Sequence, residues 1–326
     1  MNRAFAPLTA FDPASGVVVM TPERNENGYW VGCPTVLHDG NRFWLTYRRR
    51  RPRGMDADRG WRCAVAVSRD GREFEDVWQV HKDELRTTSM ERFCLSRRSG
   101  GGFQLFLSYV DPQDNRWRID ALEADEPGQF DVSQLAPILT AASTGTEGVK
   151  DPYLMQIGPV TYLFASYAKA RQGLASDAHA TADIYNVGAT THPTGLATSL
   201  DGRDFSWHGS VLDVGESWDR YQARLNSIVP IAGGYVGFYD GSASHHENYE
   251  ERCGVAVSSD LYRWRRVSVA RPWVVSSQGT GSVRYVDAMH LDGEWWIYYE
   301  MSRADGAHDL RLTRLPADPA AGVGQA

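Results

Sequence analysis

Residues 34–47 read PTVLHDGNRFWLTY, an apolar strand and an aromatic strand joined by a turn that contains Gly40. A glycine in such a turn lets two twisted strands reverse tightly, so the stretch predicts a β-hairpin. The pattern returns four times along the chain, in residues 93–109, 151–167, 226–239 and 287–299. Five related hairpins indicate an internal repeat, and a repeat of this kind decides the whole fold.

A second pattern follows three of the hairpins, in residues 64–74, 195–207 and 254–264. In each, an apolar strand leads through a Ser-x-Asp turn into a short strand that ends in an aromatic residue. Together the two patterns predict four antiparallel strands per repeat, at a spacing of about 60 residues, which is typical of a β-propeller. A β-sandwich with repeated hairpins is the alternative, but a sandwich would not repeat one four-strand unit in order.

The sequence therefore predicts an all-β chain that forms one five-bladed β-propeller with four-stranded antiparallel blades. Residues 1–316 form this single domain, and the blades start near residues 33, 91, 151, 224 and 285. Residues 309–315 are expected to be the third strand of the last blade, and residues 16–20 its fourth, which closes the ring. Residues 317–326 consist mainly of Ala, Pro and Gly and are predicted to be a loose tail.

Composition restricts the classes of partner. The 326 residues carry a net charge of −7, which argues against a nucleic-acid groove. Residues 48–53, RRRRPR, are typical of a solvated loop, with phosphate or carboxylate binding as the alternative. No apolar stretch is long enough to span a bilayer and no secretory signal is visible, so we expect a cytoplasmic protein without a membrane partner. The oligomeric state cannot be derived from these features.

The four cysteines, Cys33, Cys63, Cys94 and Cys253, lie far apart and include no CxxC pair. In a cytoplasmic protein this spacing predicts free, partly buried thiols and no metal cluster. Cys33 paired with a distant histidine would be a nucleophilic pair, but nothing in the spacing brings the two together.

Residues 148–154, GVKDPYL, open the third hairpin and resemble the (R/K)DP strand of the arabinanase, xylosidase, invertase and levansucrase families of glycoside hydrolases. The resemblance implies a five-bladed propeller with acidic residues around the axial funnel. It also implies a base or nucleophile Asp on blade one, an Asp on blade three that orients the acid or holds sugar hydroxyls, and an acid Glu on or near blade four. Asp151 matches the blade-three position. The base position holds Cys33 instead, and residues 224–227 lack the Glu.

The first strand of each blade lines the channel of a propeller, so the residues that open these strands are expected to meet at one mouth. Glycoside cleavage generally uses two carboxyl groups. The candidate catalytic carboxylates are Asp151, Glu91, Asp287, Glu216 and Asp219. The candidate substrate-binding residues are Cys33, Arg92, Tyr153, Arg224, Asn226, His245 and His246. The alternative is a structural cap on the strand entry for Asp151, half of a structural ion pair for Glu91, and bonds to neighbouring backbone amides for Asp287.

Three functions remain open for this funnel. The first is a glycoside hydrolase-like enzyme acting on a small glycoside or a glycosylated metabolite. The second is a non-catalytic propeller that binds or sequesters a sugar-bearing, aromatic or acidic ligand, which Cys33 at the base position and the missing Glu favour. A lyase or isomerase using the same funnel is a third reading. No organic cofactor is implied. The resemblance allows a Ca²⁺ ion at the channel centre, for which the sequence shows no ligand cluster.

Overall fold

The computed structural model describes residues 7–317, and most of its regular structure is β-strand. The helices are short and belong to the connections. They are α1 (Ala141–Thr144) and the 3-10 helices Pro7–Ala10, Pro13–Ser15, Pro127–Gln129, Val132–Gln134, Ile184–Asn186 and His245–Glu247. The predicted tail lies outside the described residues from residue 318 onward. Within the described range, no helix is both long and apolar enough to cross a bilayer.

The strands follow one another in four-stranded groups, with the first strand of the chain set apart. They are β1 (Val17–Met20), β2 (Trp30–His38), β3 (Phe43–Arg51), β4 (Arg59–Ser68), β5 (Glu75–His81), β6 (Met90–Arg97), β7 (Phe103–Val110), β8 (Trp117–Ala124), β9 (Ala136–Leu139), β10 (Gly148–Ile157), β11 (Val160–Ala168), β12 (Thr194–Ser199), β13 (Ser206–Leu212), β14 (Gln222–Ile231), β15 (Gly234–Ser242), β16 (Arg252–Ser258), β17 (Arg265–Arg266), β18 (Val283–Leu291), β19 (Glu294–Ser302) and β20 (His308–Pro316).

Antiparallel pairing joins these strands in chain order within each group. The groups are β2–β5, β6–β9, β10–β13, β14–β17, and β18–β20 with β1. All five predicted hairpins are therefore confirmed. The predicted pairing of the N-terminal strand with the last strand is confirmed too, because Val17 lies opposite Leu312. Single parallel bridges, such as Trp30 to His308, link neighbouring groups.

The Ser-x-Asp pattern forms the same turn in its three copies. In the first copy, the Ser68 hydroxyl accepts the backbone N–H groups of Asp70 and Gly71 and donates to the Asp70 carboxylate. The carboxylate in turn accepts the N–H groups of Arg72 and Glu73. The copies at Ser199 and Ser258 repeat this arrangement. The side chains thus satisfy the turn's backbone donors, which explains why the motif recurs at one place in the repeat.

The hydrophobic core lies between the groups rather than within one of them. One buried cluster joins Phe106 of β7 and Ile119 of β8 to Leu163 of β11. The next joins Phe164 of β11 to Leu225 of β14. Each sheet therefore packs its faces against both neighbours, which accounts for the aromatic-rich composition. All four cysteines are free, as predicted, but they are buried rather than partly buried.

The first strands of the groups pack against one another in the order β2, β6, β10, β14, β18 and back to β2. Each of them carries a register irregularity close to its N-terminal end. The residues at these bulges are Cys33, Glu91, Asp151, Asn226 and Tyr285, which we call the axial residues. A bulge re-aims a side chain out of the regular ladder, so the repeat presents one non-ladder side chain from every group.

The expectation of a solvated loop at residues 48–53 is wrong for its first part. Strand β3 continues to Arg51, and its side chains alternate, with Arg48 and Arg50 buried and Arg49 and Arg51 half-buried. This is the period of two of a β-strand. Two guanidinium groups therefore enter the interior beside the axial residues.

Candidate functional site

Three axial residues bring their polar side chains close together. One ligand atom from each of Cys33, Glu91 and Asp151 lies within 4.8 Å of the others. The Tyr285 hydroxyl donates to Glu91 Oε2 at 3.1 Å, and Cys33 Sγ lies 3.8 Å from the same oxygen. The backbone φ is positive at Cys33 (57°), Asp151 (58°) and Tyr285 (51°). Such φ values are uncommon for residues other than glycine and are often found where a side chain has a function.

An ionic network surrounds Glu91. The Arg48 guanidinium donates to Glu91 and lies 3.6 Å from Glu300. The Glu300 carboxylate also accepts hydrogen bonds from Arg284 at 2.7 Å, from His308 Nδ1 at 2.8 Å and from the Cys33 backbone N–H at 3.1 Å. All of these side chains are at most 2% exposed. Glu91 is thus paired with Arg48, whose guanidinium group also pairs with Glu300.

Asp151 has its own set of cations. Its Oδ2 accepts Arg224 Nη1 at 2.7 Å and lies 3.5 Å from Lys150 Nζ, while its Oδ1 accepts the Arg92 backbone N–H at 3.2 Å. Arg224 also donates to Asp240 at 2.6 Å. Glu91 and Asp151 are therefore both ion-paired, which offsets the cost of burying their charge.

The protonation states follow from this network. Burial opposes ionisation of Glu91, but the charges of Arg48, Lys150, Arg50 and Arg284 together outweigh it and hold the pKa of Glu91 below its ordinary value. Burial raises the pKa of Asp240 to about 6, with Arg224 acting in the opposite direction. Burial also raises the pKa of the Cys33 thiol. Cys33 is therefore a thiol and not a thiolate at neutral pH, so it cannot replace a basic carboxylate.

Several buried polar atoms near the axis have no hydrogen-bond partner among residues 7–317. They include both amide atoms of Asn226, which is fully buried, the Nε atoms of Arg48 and Arg224, and Nη1 of Arg50. An unpaired buried donor is costly, so such atoms are concentrated where a polar ligand or water is bound. Most of these atoms are donors, which favours a ligand rich in acceptor oxygens.

Three chain connections meet next to this cluster. Tyr249, between β15 and β16, lies with its ring 3.8 Å from the Arg50 guanidinium, and Arg50 is 3.8 Å from Glu91. The Tyr249 hydroxyl donates to Asp183 and accepts Arg53 Nη2 at 2.8 Å. We call Arg53, Asp183 and Tyr249 the cover contact. It links the connections that follow β3, β11 and β15.

The axial donors do not suit the Ca²⁺ ion that the family resemblance allows. Calcium takes six to eight oxygen ligands, whereas this set offers a thiol and two carboxylates. Those carboxylates already bind Arg48 and Arg224. The carboxylate oxygens that would bind a metal ion are thus already paired with arginine side chains.

The other three candidate carboxylates lie away from Glu91 and Asp151. Asp287 is two residues beyond the axial residue Tyr285, and its Oδ2 accepts the Val36 backbone N–H at 2.5 Å. Asp219 accepts Arg266 at 2.6 Å and the Tyr239 hydroxyl at 3.0 Å, so it has a structural partner set. Glu216 is exposed in the connection after β13.

The candidate binding residues separate in the same way. Arg224 and Asn226 lie in the ring beside Asp151. The Arg92 side chain extends toward the other end of the strands, where it donates to the Pro34 carbonyl and lies 5.7 Å from the Tyr153 ring centroid. The tilted rings of His245 and His246 contact each other, with centroids 3.9 Å apart, in a short 3-10 helix of the connection that carries Tyr249.

Sequence reasoning missed the residues that hold the axial carboxylates. These are Arg48, Lys150, Asp240, Glu251, Arg284, Tyr285, Glu300 and His308. A signal was available, because charged residues within otherwise apolar strands such as β18 and β19 are unusual. A charged residue in a buried strand requires a partner, so these positions predict an interior ionic network.

Comparison with known proteins identifies the fold. No protein-family model matches the chain, and no curated protein matches it. Among solved structures, a glycoside hydrolase is similar with a TM-score of 0.68 and 12% identity, over 91% of this chain and 90% of that one. A glycosyl hydrolase from Bacteroides ovatus has a TM-score of 0.62 and 14% identity, over 94% and 93%. The GH43_1 enzyme from Xanthomonas citri has a TM-score of 0.60 and 15% identity, over 95% and 92%. The chain therefore has the β-propeller fold of known glycoside hydrolases.

Proposed function

We propose that residues 1–316 form a single five-bladed propeller whose axial residues line the mouth of its central channel. The five antiparallel groups and the cyclic contacts of their first strands support this blade count. The pairing of β1 with β20 supports ring closure, because it joins the two ends of the chain in one blade.

We further propose that the protein is a glycoside hydrolase acting on a small glycoside or a glycosylated metabolite at this mouth. The observation that carries the proposal is the approach of Glu91 and Asp151 to within 4.8 Å at the axis of a propeller shared with glycoside hydrolases. Carboxyl groups about 5–5.5 Å apart are typical of retaining enzymes, and wider pairs of inverting ones. The short separation favours retention of the anomeric configuration.

Glu91 is the proposed nucleophile, because Arg48 and the neighbouring cations together keep its carboxylate ionised. Asp151 is proposed as the acid/base partner of Glu91: it gives a proton to the leaving-group oxygen as Glu91 forms the glycosyl-enzyme, and it takes a proton from the water that hydrolyses this intermediate. Arg224 and the unpaired amide of Asn226 are proposed to hold the sugar hydroxyls. Asp240 acts as a positioning residue, because it holds the other arm of Arg224. The acceptor-rich surface of a sugar suits the unpaired donors around the axis.

Substrate entry requires movement of the cover contact. Glu91 is 2% exposed and Asp151 is fully buried, so neither carboxylate can reach a sugar while the three connections remain in place. Arg53 is the most exposed member of the contact at 40%. We propose that separation of Tyr249 from Asp183 opens the mouth, as loop movements do in many enzymes.

The test is hydrolysis of a panel of 4-nitrophenyl furanosides and pyranosides by the wild type and three variants. We expect Glu91→Gln and Asp151→Asn to lower kcat by about 100-fold or more, as loss of a positioned carboxyl group does. Asp219→Asn is the matched control, because this carboxylate is buried and ion-paired away from the axis, and it should keep most of the activity. NMR of the released sugar should show retention. Absence of turnover by the wild type across the panel would refute hydrolysis.

A binding function is the second candidate, and a specific observation favours it. Both axial carboxylates are ion-paired to arginines, and Cys33 is a thiol at the position of the family's base. In that case the wild type would bind an acidic sugar such as galacturonate without turnover. Asp151→Asn would change that affinity, as measured by calorimetry.

A further inference from the structure

We propose a second ligand site at the opposite end of the first strands, which binds a small apolar amine through Asp287. This site is independent of the proposed hydrolysis, because Asp287 has no contact with Glu91 or Asp151. A pocket of about 380 Å³ lies between β2, β10, β14 and β18. Its volume is in the range of small-molecule sites.

The walls of this pocket are mainly aliphatic. Val36, Ile228, Val229, Pro230, Ala288 and Met289 line it, together with the ring of Tyr153. The Tyr153 hydroxyl is already used, since it donates to the Ile228 carbonyl at 3.1 Å. The polar groups that remain are His290 on the exposed rim and the Asp287 carboxyl.

Asp287 presents one unused oxygen to this pocket. Its Oδ2 accepts the Val36 N–H, whereas Oδ1 makes no hydrogen bond within residues 7–317. The nearest cation, Arg92 Nη2, lies 4.0 Å from Oδ1, which is too long for a hydrogen bond. The side chain is 5% exposed, so a ligand can reach it only from the pocket. Oδ1 is therefore available to a donor that enters the pocket.

A cationic amine suits this free oxygen better than a neutral donor or an anion. An ammonium group on the pocket side of Oδ1 would place the carboxylate between two cations, with Arg92 behind it. The face of Tyr153 can stabilise the same cation, and the aliphatic walls can bury an apolar body. An anion in the pocket would face the carboxylate before it reached Arg92.

The pH dependence of binding follows from Asp287. Burial raises its pKa to about 7, so its ionised fraction increases about tenfold between pH 6 and pH 8. The charged and titratable groups around it are Arg92 and Cys94 of β6, Tyr153 of β10, Tyr298 of β19 and His290 of β18. Burial raises the pKa values of Cys94, Tyr153 and Tyr298 and lowers that of His290. Asp287 is therefore the group whose ionisation controls amine binding in this range.

The experiment is calorimetric titration with benzylamine, benzyl alcohol and benzoate at pH 6 and pH 8. We expect benzylamine to bind most tightly, with Kd about tenfold lower at pH 8, because a cation requires the ionised carboxylate. This dependence should persist in His290→Ala, which removes the imidazole on the rim of the pocket. Asp287→Asn should weaken benzylamine at least tenfold at pH 8, and Glu91→Gln should leave it unchanged.

Met289→Trp provides a second variant that fills the pocket without altering Asp287, and it should abolish binding. Loss of binding in this variant, together with the pH dependence of the wild type, tests the site even if Asp287→Asn does not fold. Equal affinity for benzylamine and benzyl alcohol would overturn the proposal. Tighter binding of benzoate at pH 6 would also overturn it, and would indicate an anion site at Arg92.

Discussion

Replacing Arg48 by methionine should reveal how much the protein depends on its buried ionic network. Methionine keeps most of the aliphatic length but removes the positive charge that pairs with Glu91 and lies near Glu300. Both carboxylates are buried, and loss of one partner of a buried pair costs about 3–5 kcal/mol. Arg51→Met on the same strand is the matched control. It breaks the two hydrogen bonds to Glu23, which is 37% exposed, and should cost less than about 1 kcal/mol.

The assay is urea unfolding followed by tryptophan fluorescence, with linear extrapolation of the free energy of unfolding. In the wild type, the pKa values of Glu91 and Glu300 are depressed, so their contribution is present above the unfolded value of about 4.3 and is lost as pH falls further. In Arg48→Met, the pKa of Glu91 rises because the cation with the largest effect on it is gone, so the carboxylate takes up a proton at a higher pH than in the wild type. The stability difference between the two proteins should therefore narrow from pH 7 toward pH 4. Equal losses for Arg48→Met and Arg51→Met, or a difference that does not change with pH, would refute the reasoning.

The remaining predictions concern close packing and the cover contact. In Gly32→Ala, the new Cβ would overlap the Glu300 carboxylate, so we expect the free energy of unfolding to fall by about 1–3 kcal/mol in the same urea assay. Gly100→Ala should be close to neutral, because no atom lies within 4 Å of its new Cβ. Equal stability of the two variants would contradict this packing. Tyr249→Phe removes a charged hydrogen bond to Asp183, worth about 1.5–3 kcal/mol, and should speed amide exchange in residues 243–251 roughly tenfold or more. Tyr262→Phe is the control and should leave this exchange unchanged, because the Tyr262 hydroxyl makes no hydrogen bond within residues 7–317. Unchanged exchange in Tyr249→Phe would show that this hydroxyl does not hold the cover closed.

The sequence by itself determined the strands and their local pairing. Hairpins are set by the two-residue alternation of strands and by glycine turns, both of which involve neighbouring residues. The closing strand β1 could be predicted because a repeat lacking its fourth strand identifies what is missing. Asp151 and Cys33 were correctly placed at equivalent positions, because the hairpins align on their turn glycines.

Only the tertiary structure decided which side chains surround these positions. The bulges shift the register within each first strand, so Asp287 lies two residues past the axial residue Tyr285, on another level of the channel. A shift of this kind cannot be derived from an alternating pattern, because one extra residue changes the direction of every later side chain. The partners of Glu91 come from strands more than 40 residues away in either direction, as Arg48 and Tyr285 do. Such contacts depend on how the sheets stack around the ring, whereas local sequence determines only the strands that stack.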